Sequence, residues 1–222
     1  MGGGLTDDRR GQILRAALAV VVERGMPETR IADVAARAGV SPALVIYYFK
    51  TKDRLLTEAL RLAEDKWYAE GARRMKELPS AAERLEMVVA MTCLPEEDDE
   101  LEESWVLWLD LWAAAARQPE VRSVREEFDG RWRDTVRAIV KEGQDASEFL
   151  PIDVEDFSVG FCSFLDGLAI QIALEDPVVT PEHAFELSMK LAASQLGFSW
   201  DGKGAPARQG RAGRAPNAGF RG

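Results

Sequence analysis

The chain has 222 residues, enough for one large domain or a small domain joined to a larger one, and its 46% hydrophobic and 30% charged content is that of an ordinary soluble globular protein. Two cysteines, Cys93 and Cys162, are too few for a disulfide framework and lack metal-ligand spacing, no apolar run reads as long as a membrane span, and MGGGLTDDRR carries no hydrophobic segment behind its charges. Export, membrane insertion and a metal centre are therefore set aside in favour of a cytoplasmic protein with reduced thiols and no cofactor.

The net charge of −10 is spread unevenly. Residues 1–54 hold nine Lys/Arg against six Asp/Glu, residues 201–222 hold five against one, and residues 55–200 hold 14 against 31. Basic charge sits at the two ends, where phosphate would be met, and acidic charge in between.

In chain order, Ile13, Leu14, Ala17, Leu18, Val21 and Val22 mark an amphipathic helix over Thr6–Arg24 with acidic residues in its first turn, stopped by Gly25. Ile31, Val34, Ala35 and Ala38 give a short second helix with one apolar face. Gly39 supplies a left-handed turn, and Ser41-Pro42 opens the next helix, serine as cap and proline at the first helical position. So short a turn forces two helices to cross steeply, the geometry of a helix-turn-helix whose second helix enters a major groove. Val45 and Phe49 point inward; Ala43, Leu44 and Tyr47 lie on the other side.

The run AGVSPALVIYYFKTKDRLL resembles the helix-turn-helix of the tetracycline-repressor (TetR) family of transcriptional regulators, through Gly39, Val40, Ser41, Tyr47, Tyr48, Phe49, Thr51, Lys52 and Asp53. The resemblance implies that Ser41, Tyr47 and Lys52 bond DNA phosphates, with Thr29 and Arg30 as further candidates. Arg9 and Arg10 are either backbone contacts or solvated charge. Pro42, Ala43 and Ile46 stand where many relatives have Lys, Gly and Tyr. Recognition is thus expected to use thymine methyls and DNA shape rather than bidentate bonds to guanine.

A long helix runs from Lys52 towards Pro79, with Leu55, Leu56, Ala59, Leu60, Ala63 and Trp67 as its buried stripe. Ser80 and Glu83 form a capping box for the next helix. The acidic run Pro95–Glu100 reads as a solvated helix cap. In the helix behind it Leu101, Trp105, Trp108, Leu109 and Trp112 form one stripe, and Val106, Leu107 and Leu111 continue the apolar surface nearly around. After Pro119-Glu120 a helix from Val121 to about Glu142 carries Val124, Phe128, Trp132, Val136, Ile139 and Val140. A turn over 145–151 precedes a helix with Phe157, Phe161, Phe164 and Leu165 in register and small residues Gly160, Ser163 and Gly167 among them. Thr180-Pro181-Glu182 opens the last helix, where the lone His183 reads as an exposed polar residue. Beyond Trp200 the chain turns to Gly, Ala, Pro and Arg, the composition of a disordered basic tail.

The expected architecture is all-α, about nine helices: a three-helix DNA-binding head over 1–52, a helical ligand-binding and dimerisation domain over 53–200, and the tail over 201–222. PEVRSVREEFDGRWRD and FLDGLAIQ are also similar to the ligand domain of the choline-regulator (BetI-like) branch. The resemblance implies a homodimer through the last two helices, a palindromic operator, and a pocket for a small-molecule effector that releases the DNA. Trp67, Trp105, Trp108, Trp112, Phe128, Trp132 and Phe161 either line that pocket or fill the core. With Asp110 and Asp166 they would suit a cationic or amphipathic ligand. No phosphate loop, metal spacing or nucleophile with a histidine partner points to an enzyme. The alternative is an all-helical small-molecule-binding or interaction protein without specific DNA binding.

Overall fold

The computed structural model describes residues 3–94 and 105–202, the side chains of residues 3–7, 106 and 120 excepted. Among them are nine helices and no strands: α1 Gly3–Glu28, α2 Ile31–Arg37, α3 Pro42–Phe49, α4 Lys52–Met75, α5 Ala81–Cys93, α6 Trp105–Ala115, α7 Pro119–Asp145, α8 Val154–Ala173 and α9 Pro181–Leu196. The acidic run Pro95–Glu100, Leu101 and the tail beyond 202 lie outside the described residues.

Local chemistry sets most boundaries. Ser41, Thr51, Ser80, Asp153 and Thr180 each cap a helix by accepting a backbone N–H with the side-chain oxygen, and Ser80 with Glu83 forms the expected capping box. Glu148 adds a second anchor, taking the Ala81 amide at 2.8 Å. Gly25 interrupts α1 with φ 80° and ψ 159°, so the expected stop appears as a break inside a longer helical run. That run begins at Gly3 rather than Thr6 and has no acidic residue in its first turn.

Two apolar clusters organise the bundle. The first joins α1, α2 and α3 to Leu55–Ala63 of α4, to Leu107, Leu111 and Ala115 of α6, and to Val121 and Phe128 of α7. The second gathers α5, the later part of α7, α8 and α9 around Leu85, Phe161, Leu165 and Met189. Cys93 and Cys162 are buried free thiols in it, and burial pushes both up to about 12. The head's core therefore continues past Lys52 into α4 and α6.

Three expectations are corrected. On α6 the buried face is Leu107, Leu111 and Ala115, while Trp105, Trp108, Leu109 and Trp112 are only half-buried. By length and hydropathy alone α8 is apolar enough to cross a membrane; here it packs against α5, α6, α7 and α9, which accounts for its composition. His183 is half-buried, its Nδ1 2.8 Å from the Val178 carbonyl.

Candidate nucleic-acid interface and small-molecule site

Val34, Ala35, Ala38, Val45 and Phe49 turn inward, each 3% exposed or less, and fix α3 across α2. The opposite face of α3 is open: Ser41, Pro42, Ala43, Ile46 and Tyr47 are exposed, Leu44 half-buried at its base. Tyr47 is 68% exposed and Ile46 47%. The face thus offers methyl groups and two hydroxyls, matching the substitution of Pro, Ala and Ile at positions expected to meet base edges. Ser41 Oγ accepts the Leu44 amide at 3.2 Å, which leaves its O–H free to donate.

The cationic rim differs from the expected one. Thr29 is 1% exposed and its Oγ1 donates to the Gly25 carbonyl at 2.8 Å, so it closes the α1 break instead of reaching phosphate. Lys52 Nζ donates to the Pro27 carbonyl at 2.8 Å and ties the start of α4 to the same segment. Arg30 is exposed and makes no side-chain cap bond. Arg10 pairs with Glu58 and lies over the Phe49 ring, packing inward; Arg9 stays exposed beside Gln12.

Lys50 is a residue the sequence reading missed. It joins α3 to α4 with φ 67° and ψ −51°, bridged by Thr51 N–H to Phe49 O at 2.8 Å, a strained γ-turn for a residue with a Cβ. Its Nζ sits 5.2 Å from the Tyr47 ring centroid, so the turn carries a cation to the edge of the exposed face. A lysine at a positive-φ position leaves no signature in a sequence.

The aromatic residues of the bundle do not form one cage. Trp67 meets Trp132 edge to face at 5.8 Å, across α4 and α7, and Trp108 meets Phe128 at 5.7 Å, across α6 and α7. Trp105 Nε1 donates to the Thr92 carbonyl at 3.3 Å, Trp112 is half-buried, and Phe161 stacks on Phe157 inside the second core cluster. Asp110 is also elsewhere: its Oδ2 accepts the Met26 amide at 2.6 Å, facing the head. The expectation that it helps cage a cation is corrected, because the carboxylate is already spent on a backbone donor at the α1 break.

A different carboxylate stands beside Trp67. Glu64 is 5% exposed, and burial pushes its carboxyl up to about 7, against the pull of Arg131 at 3.8 Å. Next to it Arg131 lies 3.9 Å over the Tyr68 ring, and burial drives the Tyr68 phenol up as well. Asp166 is likewise raised to about 7 by burial and by the Asp129 carboxylate, with Arg125 and Arg133 opposing. The two carboxyls have different neighbours, Glu64 those of Arg131 and Asp65, and Asp166 that of Asp129, and a cation entering beside either would favour its charged form. An open cleft of about 410 Å³ lies instead at the far end, between Glu83, Glu86, Phe198 and Trp200.

Comparison with known proteins matches residues 13–59 to the model of bacterial regulatory proteins of the tetR family, and residues 81–197 to that of the BetI-type transcriptional repressor C-terminal domain. The transcriptional regulator BetI of Rhizobium meliloti is 26% identical over 200 residues, 90% of this chain and 95% of its own. Among solved structures, a transcriptional regulator from Saccharomonospora viridis in complex with choline superposes with a TM-score of 0.77 at 25% identity, covering 86% of this chain and 98% of that one. The FadR regulator from Bacillus subtilis in complex with stearoyl-CoA shares the fold, with a TM-score of 0.67 at 20% identity over 83% of this chain and 98% of that one.

Proposed function

The chain belongs to the TetR family of DNA-binding transcriptional regulators, with a BetI-type C-terminal domain, and on that footing we propose a cytoplasmic homodimeric repressor that leaves a palindromic operator when a cationic or amphipathic small molecule enters its helical bundle. The division of labour is a reading head over 1–52, ligand and dimer contacts over 53–200, and a basic tail over 201–222. Ser41, Tyr47, Lys50, Lys52 and Arg30 hold phosphates; Pro42, Ala43, Leu44 and Ile46 meet the groove.

The observation that carries the effector reading is Glu64. A carboxyl 5% exposed, three residues before Trp67 on the long helix that begins at the head, has only an Arg131 contact at 3.8 Å to offset its burial, and that guanidinium is shared with Asp65, which leaves a place for a second cation. Asp166, beside Asp129, offers a second buried carboxyl in the bundle, and the Trp108–Phe128 pair a second aromatic patch. The dimer reading draws on α8, where Val159 is 52% exposed and the exposed Gly160 and Gly167 have open space where a Cβ would stand. Small residues along an open helix face let a second helix approach closely.

Choline is the first probe, since the Saccharomonospora regulator was crystallised with it. Tryptophan fluorescence is titrated with choline, with longer quaternary ammonium compounds and with an anionic acyl-coenzyme A, and each is then added to the protein bound on DNA flanking its gene. Cations that quench fluorescence, release DNA and lose both effects in Glu64→Gln support the reading. Release by the acyl-coenzyme A alone overturns it.

A further inference from the structure

We propose that Asp110 is a positioning residue for DNA recognition: from α6 it holds the junction between α1 and α2 in register, giving the bundle a grip on the reading head that is separate from the long helix α4. The inference rests on the regulator reading and adds to it a contact between bundle and head beyond their covalent link through α4.

The α1 break is what makes such a grip necessary. At Gly25 the backbone leaves helical space, and the Met26 N–H opens a new turn as one of the donors a helix start leaves without a partner. Met26 is a buried residue, so its amide needs an acceptor, and the acceptor comes from 84 residues away, Asp110 Oδ2 at 2.6 Å. The approach is close enough that a Cβ on Gly25 would stand 3.1 Å from the same oxygen.

Three hydrogen bonds, two from other helices and one internal, fix residues 25–29. Asp110 holds the Met26 amide, Lys52 holds the Pro27 carbonyl at 2.8 Å, and Thr29 turns back to the Gly25 carbonyl at 2.8 Å. The chain then passes directly into α2, whose first bonds run to the Arg30 carbonyl. On the same α6, Trp108 packs against Phe128 of α7 and Trp105 bonds the Thr92 carbonyl of α5. One short helix therefore touches the bundle through its indoles and the head through Leu107, Leu111 and Asp110. A shift or rotation of α6 that keeps its apolar contacts still moves a directional hydrogen bond out of line.

Amide hydrogen exchange on the full chain tests this, comparing wild type, Asp110→Ala, Asp110→Asn, which keeps an acceptor, and Leu107→Ala, which weakens α6 packing without touching the bond. Without DNA, the Met26 amide is expected to exchange about tenfold or more faster in Asp110→Ala than in wild type and to stay near wild type in Asp110→Asn. A duplex selected from random DNA by the wild-type protein is then added. In wild type, Asp110→Asn and Leu107→Ala its binding slows exchange over 105–115; in Asp110→Ala protection stays within the head and affinity for the duplex falls. A Met26 amide equally slow in Asp110→Ala, or α6 protection equal to wild type in that variant, overturns the proposal, as does loss of α6 protection in Leu107→Ala to the same degree. Failure to select any duplex counts against DNA binding itself, and the DNA-free Met26 comparison still decides the contact.

Discussion

The Arg131 guanidinium gives its close contact, 2.5 Å, to the exposed Asp65 and stands 3.8 Å from the buried Glu64. The cation that compensates Glu64 is thus shared with a better-solvated neighbour, and burial prevails over attraction. Between the ordinary value of 4.5 and about 7 the folded chain keeps a proton on Glu64 that the unfolded chain has released. Stability from this group is therefore full below that window and is lost as pH rises through it, and Asp166 adds a loss of the same sign. The unfolding free energy from urea titrations is expected to fall between pH 4.5 and 7.5, by a total on the order of 1–3 kcal/mol. Glu64→Gln should remove its share of the fall and leave that of Asp166; an unchanged slope would refute the assignment.

The strained turn at Lys50 separates stability from function. Lys50→Gly removes a Cβ from a φ of 67° and should raise stability by about 1 kcal/mol in thermal melts. The same change deletes a cation beside the exposed face of α3. Affinity for DNA is expected to drop, with the slope of log affinity against log salt reduced by about one. A variant that gains stability and keeps the wild-type salt slope would remove Lys50 from the interface.

Thr29 supplies the converse case. Thr29→Val loses the bond to the Gly25 carbonyl inside a buried site and is expected to cost about 1–2 kcal/mol. Its salt slope on DNA should equal that of wild type, since no phosphate contact is removed. Measuring both quantities on Thr29→Val and Lys52→Ala distinguishes a support from a contact.

At Gly143 of α7 an added Cβ would stand 2.2 Å from the Phe149 ring, which also packs against Phe198 with centroids 5.3 Å apart. Gly143→Ala should therefore destabilise the bundle by about 1–3 kcal/mol despite alanine's better helix propensity. Pairing it with Phe149→Leu should recover part of the loss in a double-mutant cycle. Additive losses would indicate that the ring moves aside freely.

What was legible in the sequence was local. The Ser41-Pro42 helix start, the Gly39 turn, the inward pair Val45 and Phe49 and the Ser80–Glu83 box each depend on residues within one or two turns of each other, and each stands where the spacing put it. Glu64 lies in LAEDKW and reads as part of a solvated helix face; in the fold it is buried, with Arg131 of α7 at 3.8 Å. Asp110 finds its partner 84 residues away, beyond any periodicity. On α6, apolar on nearly every side, spacing alone cannot choose between the tryptophans and Leu107 with Leu111, and the head makes that choice by packing on the leucines.

That shared packing bears on how such regulators are recombined. A hybrid joined at residue 52 to another head would carry Leu107, Leu111 and Ala115 of its own α6 into a foreign hydrophobic face shaped for other side chains. Heads and effector bundles in this chain are transplantable only together with the inner surface of α6, so compatibility between donors is set by a helix far from the splice.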